Sequence, residues 1–516
     1  MADLTLLDST KGWTNGDLQT GGYLLMEPGF QYMFFADGRK LADGCFHKLN
    51  FRDDVITGTA SGEFSVGETM TQANSGAEGI FFETVGNLHF IYRTETTAFD
   101  TTNLITGAIS GETVTPSAIT YPPYWTPWIT RTLTSPATAT GTVADSTNYL
   151  PVGGSNIGCL FSGRIIINSI QNQNQWIASR HRDPMDFQVS QSDVGTPVSS
   201  QTSKLGTVGD AICAMVPFLD HYMYFGCLDE IWIMRGDPGS GTGAHITNSS
   251  RKVGMFGPDA HAFDEKGNLF FLSMDGFYMF QAGSGFDGTP PENLTYKRLP
   301  NIVKSFNLNR RTDKVVMEYD KDRYGIDVSI GQMDGGCSAS YFWDLRLNAL
   351  LPQSFEDDDQ FPSAMYYYNS RKATTRGMLM GGYDGYLRTW DDTAKNDDGD
   401  NAIDAYCTLG PFQAFNRMRR QGSLSELALR LGDDSDGVDV QVYAGDAAEG
   451  VIKSIKDADV PQASETMTGG GLRPVYRPRT TGAVFAVQLR NNTADERFAI
   501  EKVTAKITDA GEVKGV

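Results

Sequence analysis

The feature that most constrains the fold of this chain is a recurring pair of short apolar strands joined by a glycine-containing turn. Residues 80–82 and 88–92 flank Val85-Gly86-Asn87, and residues 269–272 and 277–280 flank Asp275-Gly276. Glycine beside aspartate or asparagine supplies the positive φ that a tight hairpin needs. The pattern predicts antiparallel hairpins along most of the chain and leaves little room for amphipathic helices.

The same pairing recurs six or more times between residues 30 and 395, for example at 32–39, 162–167 and 378–390. Glycine accounts for 56 of 516 residues, or about 11%, against an average of about 7%. A repeated antiparallel unit of about 40 to 60 residues cannot bury both its faces alone, so neighbouring units must stack. We therefore predict a nearly all-β chain whose main body is a β-propeller.

Residues 97–155 interrupt this rhythm and are predicted to be a loop or β insertion that projects from a blade. They are rich in threonine, serine, alanine and glycine and contain the aromatic residues Tyr121, Tyr124, Trp125 and Trp128. Long ordered loops often serve a function, and exposed aromatic clusters often mark contacts. The hypothesis is that these four residues form a gate or an interface; the alternative is a plain surface excursion.

The end of the chain has a different pattern. After a polar linker at 395–400, cleanly alternating strands at 427–430, 438–443, 484–489 and 500–507 predict a small, platform-like β-sandwich. The predicted domains are N-terminal strands and first blades at 1–96, the insertion at 97–155, the remaining blades at 156–400 and the sandwich at 401–516.

Charge and cysteine content exclude several classes of protein. The net charge of -20 comes from 63 acidic and 43 basic residues, which disfavours binding nucleic acid by phosphate neutralisation. The six cysteines lie far apart without a C-x-x-C pair, and we expect free thiols in a reducing compartment. No window of 18 apolar residues and no export signal are visible, so no membrane span is expected.

Catalytic, cofactor-binding and metal-binding residues are not assigned. No spacing selects a pair of carboxylates among the 63 acidic residues, and the six histidines are scattered. The segment 336–340 lacks the closing glycine of a nucleophile elbow, and no helix follows the glycine-rich segment 239–243. The expectation is a protein without enzymatic activity, cofactor or metal.

Four segments resemble tail-channel proteins of short-tailed bacteriophages, in that family's order. They are YMFFADGRKLADGCFHKL at 32–49, SRHRDPMDF at 179–187, the segment 256–283 containing LFFLSMDGFYMFQAG, and LGPF at 409–412 followed by LALR at 427–430. His181 and Arg182 stand where the family commonly has an acidic residue, and the insertion has no counterpart that we can place. The family includes the nozzle, tail tubular protein B and packaged-DNA stabilisation proteins.

The resemblance implies a structural virion protein in the distal tail channel, assembled in the host bacterial cytoplasm. It would form a hexamer, contact portal or adaptor proteins and tail fibres, retain packaged DNA and open for ejection. Double-stranded DNA would pass through the lumen without specific binding, because an acidic wall repels phosphates. The alternatives are a receptor-binding tail fibre or propeller module and a glycan hydrolase of propeller fold.

Overall fold

The structure is a computed structural model of the full chain. It describes residues 9–512 except 15, 20, 131, 134–142, 146–148, 190–193, 204, 219–220, 240–242, 283–288, 298, 334–336, 356, 392–393, 398–400, 416–419, 469–470 and 473–475. Two compact units are present: unit 1 comprises Met1–Pro352 and Phe361–Leu387, and unit 2 comprises Gln353–Gln360 and Arg388–Val516.

Unit 1 begins with a sheet that is interrupted by a barrel. Sheet 1 contains β1 Leu25–Gly29, β2 Tyr32–Ala36, β3 Phe46–Asn50 and β10 Tyr124–Pro127. Between β3 and β10, a closed barrel of order β4-β7-β6-β5-β8-β9 contains β4 Asp54–Ala60, β5 Thr69–Gln72, β6 Ala77–Val85, β7 Leu88–Arg93, β8 Ile105–Gly107 and β9 Thr113–Thr120. A small hairpin of β11 Thr132–Leu133 and β12 Val143–Asp145 follows.

Five more sheets follow in chain order, each made of consecutive strands. Sheet 2 has β13 Gly158–Phe161, β14 Arg164–Asn168, β15 Trp176–Ala178 and β16 Val198–Ser199; sheet 3 has β17 Ile212–Phe218, β18 Tyr222–Cys227, β19 Ile231–Arg235 and β20 His245–Ser250. Sheet 4 has β21 His261–Phe263, β22 Leu269–Ser273, β23 Gly276–Phe280 and β24 Glu292–Asn293; sheet 5 has β25 Asp313–Asp320, β26 Gly325–Gln332, β27 Cys337–Asp344 and β28 Ala349–Gln353. Sheet 6 has β29 Pro362–Tyr368, β30 Gly377–Gly382 and β31 Leu387–Thr389, and a short helix α1 spans Ile302–Ser305.

Unit 2 is a β-sandwich. A short pair, β32 Asn396–Asp397 and β33 Asn401–Ala402, precedes the first sheet of order β34-β40-β36-β37, with β34 Ala405–Gln413, β36 Gly437–Gly445, β37 Ala463–Thr468 and β40 Val484–Asn491. In the second sheet β35 Arg420–Leu431 pairs with β38 Gly471–Leu472, β39 Thr480–Gly482 and β41 Ile500–Glu512. Helix α2 spans Ala448–Lys456, and 3-10 turns lie at Ser9–Lys11, Leu41–Asp43, Asp358–Gln360 and Ala373–Thr375.

This architecture confirms the predicted all-β fold with a propeller, a β insertion and a C-terminal sandwich. The predicted boundaries at 96 and 155 need correction, because residue 97 lies inside the barrel and the segment inserted into sheet 1 is 54–120. Barrel strands and blade strands alternate alike, so local periodicity does not separate them. Part of 129–155 lies outside the described residues.

The apolar runs of the sequence are strands that are buried on both faces. All five residues of β22 are buried; Leu269 and Phe271 pack with sheet 3, whereas Phe270 and Leu272 pack with sheet 5. Successive side chains of a strand point to opposite faces, so a strand between two sheets favours apolar side chains on both faces. This stacking explains why the central hairpins read as continuous apolar segments.

Polar contacts join neighbouring sheets of unit 1 or the segments that connect them. Two of these contacts are made by buried side chains: the indole Nε1 of Trp128 donates to the Pro184 carbonyl at 3.1 Å, and Arg164 pairs with Asp237 at 2.7 Å. The remaining contacts are Arg310 Nη2 to the carbonyls of Leu228 and Met255 at 2.9 and 3.1 Å, the Met317 amide to the Asp259 carbonyl at 2.9 Å, and Tyr367 Oη to Asp322 at 3.1 Å. These contacts hold neighbouring parts of unit 1 together.

Removal of the contact between sheets 5 and 6 gives a small, specific prediction. Tyr367→Phe is expected to lower the free energy of unfolding by about 1 kcal/mol, because the buried ring loses its hydrogen bond to Asp322. Urea unfolding followed by circular dichroism measures the change. Tyr366→Phe is the matched control, since that ring is 63% exposed; an equal effect of both substitutions would contradict the prediction.

Candidate functional site

The axis of the propeller is a candidate site because the first strand of every sheet faces it. A cavity of about 370 Å³ is lined by residues of β1, β13, β17, β21, β25 and β29. At about 30 Å³ per molecule, this volume holds about a dozen waters.

Two carboxyl groups in this cavity have strongly altered acidity. Burial raises the pKa of Glu27, on β1, to about 7, against the opposing effect of the Leu160 amide, which donates to Oε1 at 2.9 Å. Burial also raises the pKa of Glu318, on β25, to about 7, opposed by a hydrogen bond from the backbone of Tyr367 and by the charge of Lys321. Both carboxyls are therefore largely protonated in mildly acidic solution.

The cavity is also lined by a basic group and an imidazole. Lys314 Nζ lies 3.1 Å from Asp259 Oδ2, so these two charges neutralise each other. Burial lowers the pKa of His261, and its Nδ1 atom is buried without a hydrogen-bond partner among the described residues. The axis thus combines two weak acids, a neutral imidazole and one ion pair.

Sequence reasoning missed these axial residues for a topological reason. Glu27 and Glu318 lie 291 positions apart, and each stands between two uncharged residues of its strand. Only the ring of sheets brings them to one cavity. The available signal was that each carboxylate lies in the first strand of its sheet.

The structure corrects the predicted aromatic gate or interface. Trp125 and Trp128 are 2% and 1% exposed, so they cannot form an exposed cluster. The indole of Trp125 packs against Trp13 at 4.9 Å and Phe35 at 4.8 Å between ring centroids. The indole of Trp128 packs against Phe34 at 4.6 Å. Both side chains belong to the interior because the segment adds strand β10 to the edge of β3.

The two tyrosines of the predicted cluster lie nearer the surface. Tyr124 is half-buried, its ring lies edge-on to Phe90 of the barrel at 6.3 Å, and burial raises its pKa. Tyr121 is 43% exposed, and the guanidinium of Arg93 lies 5.5 Å from its ring centroid. The two tyrosines therefore lie at the junction between sheet 1 and the barrel, whereas the two indoles are interior, so the four residues do not form one common surface.

Residues of another segment that carries the family resemblance are also packed in the interior. In the segment 179–187, Arg180 pairs with Asp186 at 2.8 Å, and Phe187 packs against Trp128 at 5.7 Å between ring centroids. The described residues contain no group of three or more His, Cys, Asp or Glu side chains that could hold a metal ion. Within the same residues, no helix is long and apolar enough to cross a membrane.

Comparisons with known proteins give no family. No family model matches the sequence, and no curated protein matches it. Among solved structures, Kluyveromyces lactis Hsv2 is 10% identical with a TM-score of 0.24, covering 65% of this chain and 97% of that one. PorZ of Porphyromonas gingivalis, a bacterial surface component of a type-IX secretion system, is 11% identical with a TM-score of 0.33, covering 94% of this chain and 59% of that one. The likeness concerns the fold alone.

Proposed function

We propose that this chain is a structural virion protein that forms the distal tail channel of a short-tailed bacteriophage. Six copies surround the DNA, retain it in the packaged state and let it pass during ejection. The adaptor and tail fibres dock on the outside of this assembly. The channel is mechanical and acidic, and the protein carries no enzymatic activity.

The observation that carries the proposal is the set of buried ion pairs that join neighbouring elements of unit 1. The buried charged side chains Arg164 and Arg180 are paired within or between neighbouring sheets, and Lys48 is paired with Glu83 of the barrel. A buried ion pair that loses one partner costs about 3–5 kcal/mol, so such pairs hold neighbouring elements in one arrangement. A body of this kind suits the wall of a channel under load.

The net charge of the chain also supports the proposed channel. In the proposal the DNA passes between copies of the chain and not through the axial cavity of one copy, whose volume is about 370 Å³. The net charge of -20 per chain keeps phosphates from adhering to the wall. DNA is then retained by steric closure and moves freely when the closure opens.

The test is the assembly state of the purified full chain. We expect a six-fold ring with a central hole in negative-stain electron microscopy, and a mass near six times 56.5 kDa in light scattering. Virions labelled at the C-terminus of the chain are expected to carry the label on the tail. A monomer at every concentration and in the presence of adaptor, with no label on virions, would reject the channel.

A glycan hydrolase is the second candidate, because Glu27 and Glu318 place two acids of raised pKa in one cavity. A glycosidase uses one protonated and one ionised carboxyl group, and Asp259, which pairs with Lys314, also lines this cavity. Glycan turnover by the full chain that disappears in Glu27→Gln or Glu318→Gln would favour this candidate. A ring without turnover would favour the channel.

A further inference from the structure

One face of the unit 2 sandwich carries ordered rows of polar side chains. In the register of the first sheet, Tyr406 on β34 lies beside Arg490 on β40, and Thr408 lies beside Gln488. On the other side of β40, Gln441 on β36 lies beside Gln488. Alternate residues of a strand share one face. Their neighbours, such as Leu489 and Val440, are buried in the sandwich core, so these rows point away from it.

A wall at one end turns this face into a groove. Tyr443 is buried with Val451 of α2, which fixes the helix on the sheet. The end of α2 and the segment after it then line a cavity of about 700 Å³ together with the polar rows. Pockets of about 300–1,000 Å³ bind ligands the size of a drug or a short oligosaccharide.

Hydrogen bonds fix the polar side chains of the groove, but some of their donor and acceptor atoms have no partner among the described residues. Arg490 makes a two-point contact with Asp404 at 2.7 and 2.8 Å. The Tyr443 hydroxyl donates to Gln441 Oε1 at 3.1 Å, and Gln488 Nε2 donates to Thr408 Oγ1 at 3.3 Å. Among the described residues, Gln441 Nε2 and Gln488 Oε1 have no hydrogen-bond partner, which leaves one amide donor and one amide acceptor for a ligand.

The exposed apolar surface and the balanced charges of the groove indicate which class of ligand it can bind. The ring of Tyr406 is 57% exposed and Val460 is 88% exposed, so both offer apolar surface. Arg490 is neutralised by Asp404, and the two further charged residues of the lining, Lys456 and Asp459, are of opposite sign. A phosphate or nucleic acid requires uncompensated positive charge, which this lining does not supply.

We propose that this groove binds a neutral oligosaccharide. The apolar C–H face of a sugar ring stacks on Tyr406, while its hydroxyl groups bond to the amides of Gln441 and Gln488. The fixed Arg490–Asp404 pair offers further donors and acceptors along the same row. Such binding does not depend on the tail channel proposed above, and it is separate from the axial carboxyls of unit 1.

A glycan array probed with the labelled full chain tests the proposal. The array carries neutral glucans, mannans and galactans, sulfated and uronic-acid glycans, and a phosphorylated oligosaccharide. We expect binding to neutral glycans, with the dissociation constant of the best one raised at least ten-fold by Tyr406→Ala or Gln441→Ala. Tyr406→Phe keeps the stacking ring and is expected to retain binding within about three-fold.

The matched control is Tyr386→Ala, which removes a 69% exposed tyrosine outside the groove and should leave binding unchanged. Because Tyr406 is on the surface, its truncation does not open the core, and circular dichroism of each variant verifies folding. Absence of binding to every glycan overturns the proposal. So does preference for anionic glycans, or binding that Tyr386→Ala weakens as much as Tyr406→Ala.

Discussion

Trp128→Ala is expected to lower the free energy of unfolding by about 3–5 kcal/mol, the range for truncating a large buried aromatic side chain. The indole is 1% exposed and packs with Phe34 and Phe187, so its removal opens a cavity between sheets 1 and 2. It also leaves the Pro184 carbonyl without its donor. Urea unfolding followed by far-ultraviolet circular dichroism measures the loss as a lower midpoint.

Two further variants separate the contributions of packing and hydrogen bonding. Trp128→Phe keeps a ring in the site but loses the donor, so we expect an intermediate loss. Tyr121→Ala removes a 43% exposed ring from the same segment and should change stability by less than about 1 kcal/mol. If Trp128→Ala were as mild as Tyr121→Ala, the assignment of this residue to the interior would be wrong.

The second large effect concerns pH. Glu27→Gln combined with Glu318→Gln is expected to stabilise the protein at pH 8 by up to about 6 kcal/mol. For each carboxyl, the folded-state pKa of about 7 exceeds the unfolded value of 4.5, which corresponds to about 3 kcal/mol. The folded state holds these protons more tightly, so their contribution is complete below pH 4.5 and is lost as pH rises to about 7.

The wild-type protein should therefore lose stability between pH 4.5 and 7, and the double variant should lose less over the same interval. Thermal unfolding from pH 4 to pH 9 measures both curves. The Leu160 amide acts on Glu27, and the Tyr367 backbone, Lys321 and Asp327 act on Glu318. Glu95→Gln, at an exposed position, is the control. Parallel curves for wild type and double variant would show that the axial carboxyls titrate like exposed ones.

Much of the fold could be predicted because its causes are local. Gly86 and Gly163 have φ values of 61° and 68°, as the hairpin turns required. Gly276 is different: it has no positive φ, and a Cβ there would lie 2.8 Å from the side chains of Asn293 and Thr295. Glycine at that turn is needed for close packing against β24, which the turn pattern does not reveal.

The candidate sites were less predictable than the fold. The aromatic residues of 121–128 read as a projecting loop, because β10 is only four residues long and pairs with β3, more than 70 positions earlier. A strand this short carries almost no periodic signal. The groove of unit 2 was equally hidden, since Tyr406, Gln441 and Gln488 come from three separate strands.

The amino-acid sequence by itself determined the all-β class, the hairpin units, the acidic character and the change from propeller to sandwich, since turn chemistry, strand alternation and net charge depend on neighbouring residues. Tertiary structure alone decided that the insertion is a closed barrel, that Trp125 and Trp128 are interior, and that Glu27 and Glu318 share an axis. These depend on pairings between distant strands, and the free energy of burial that selects them belongs to the assembled sheets, not to any one segment.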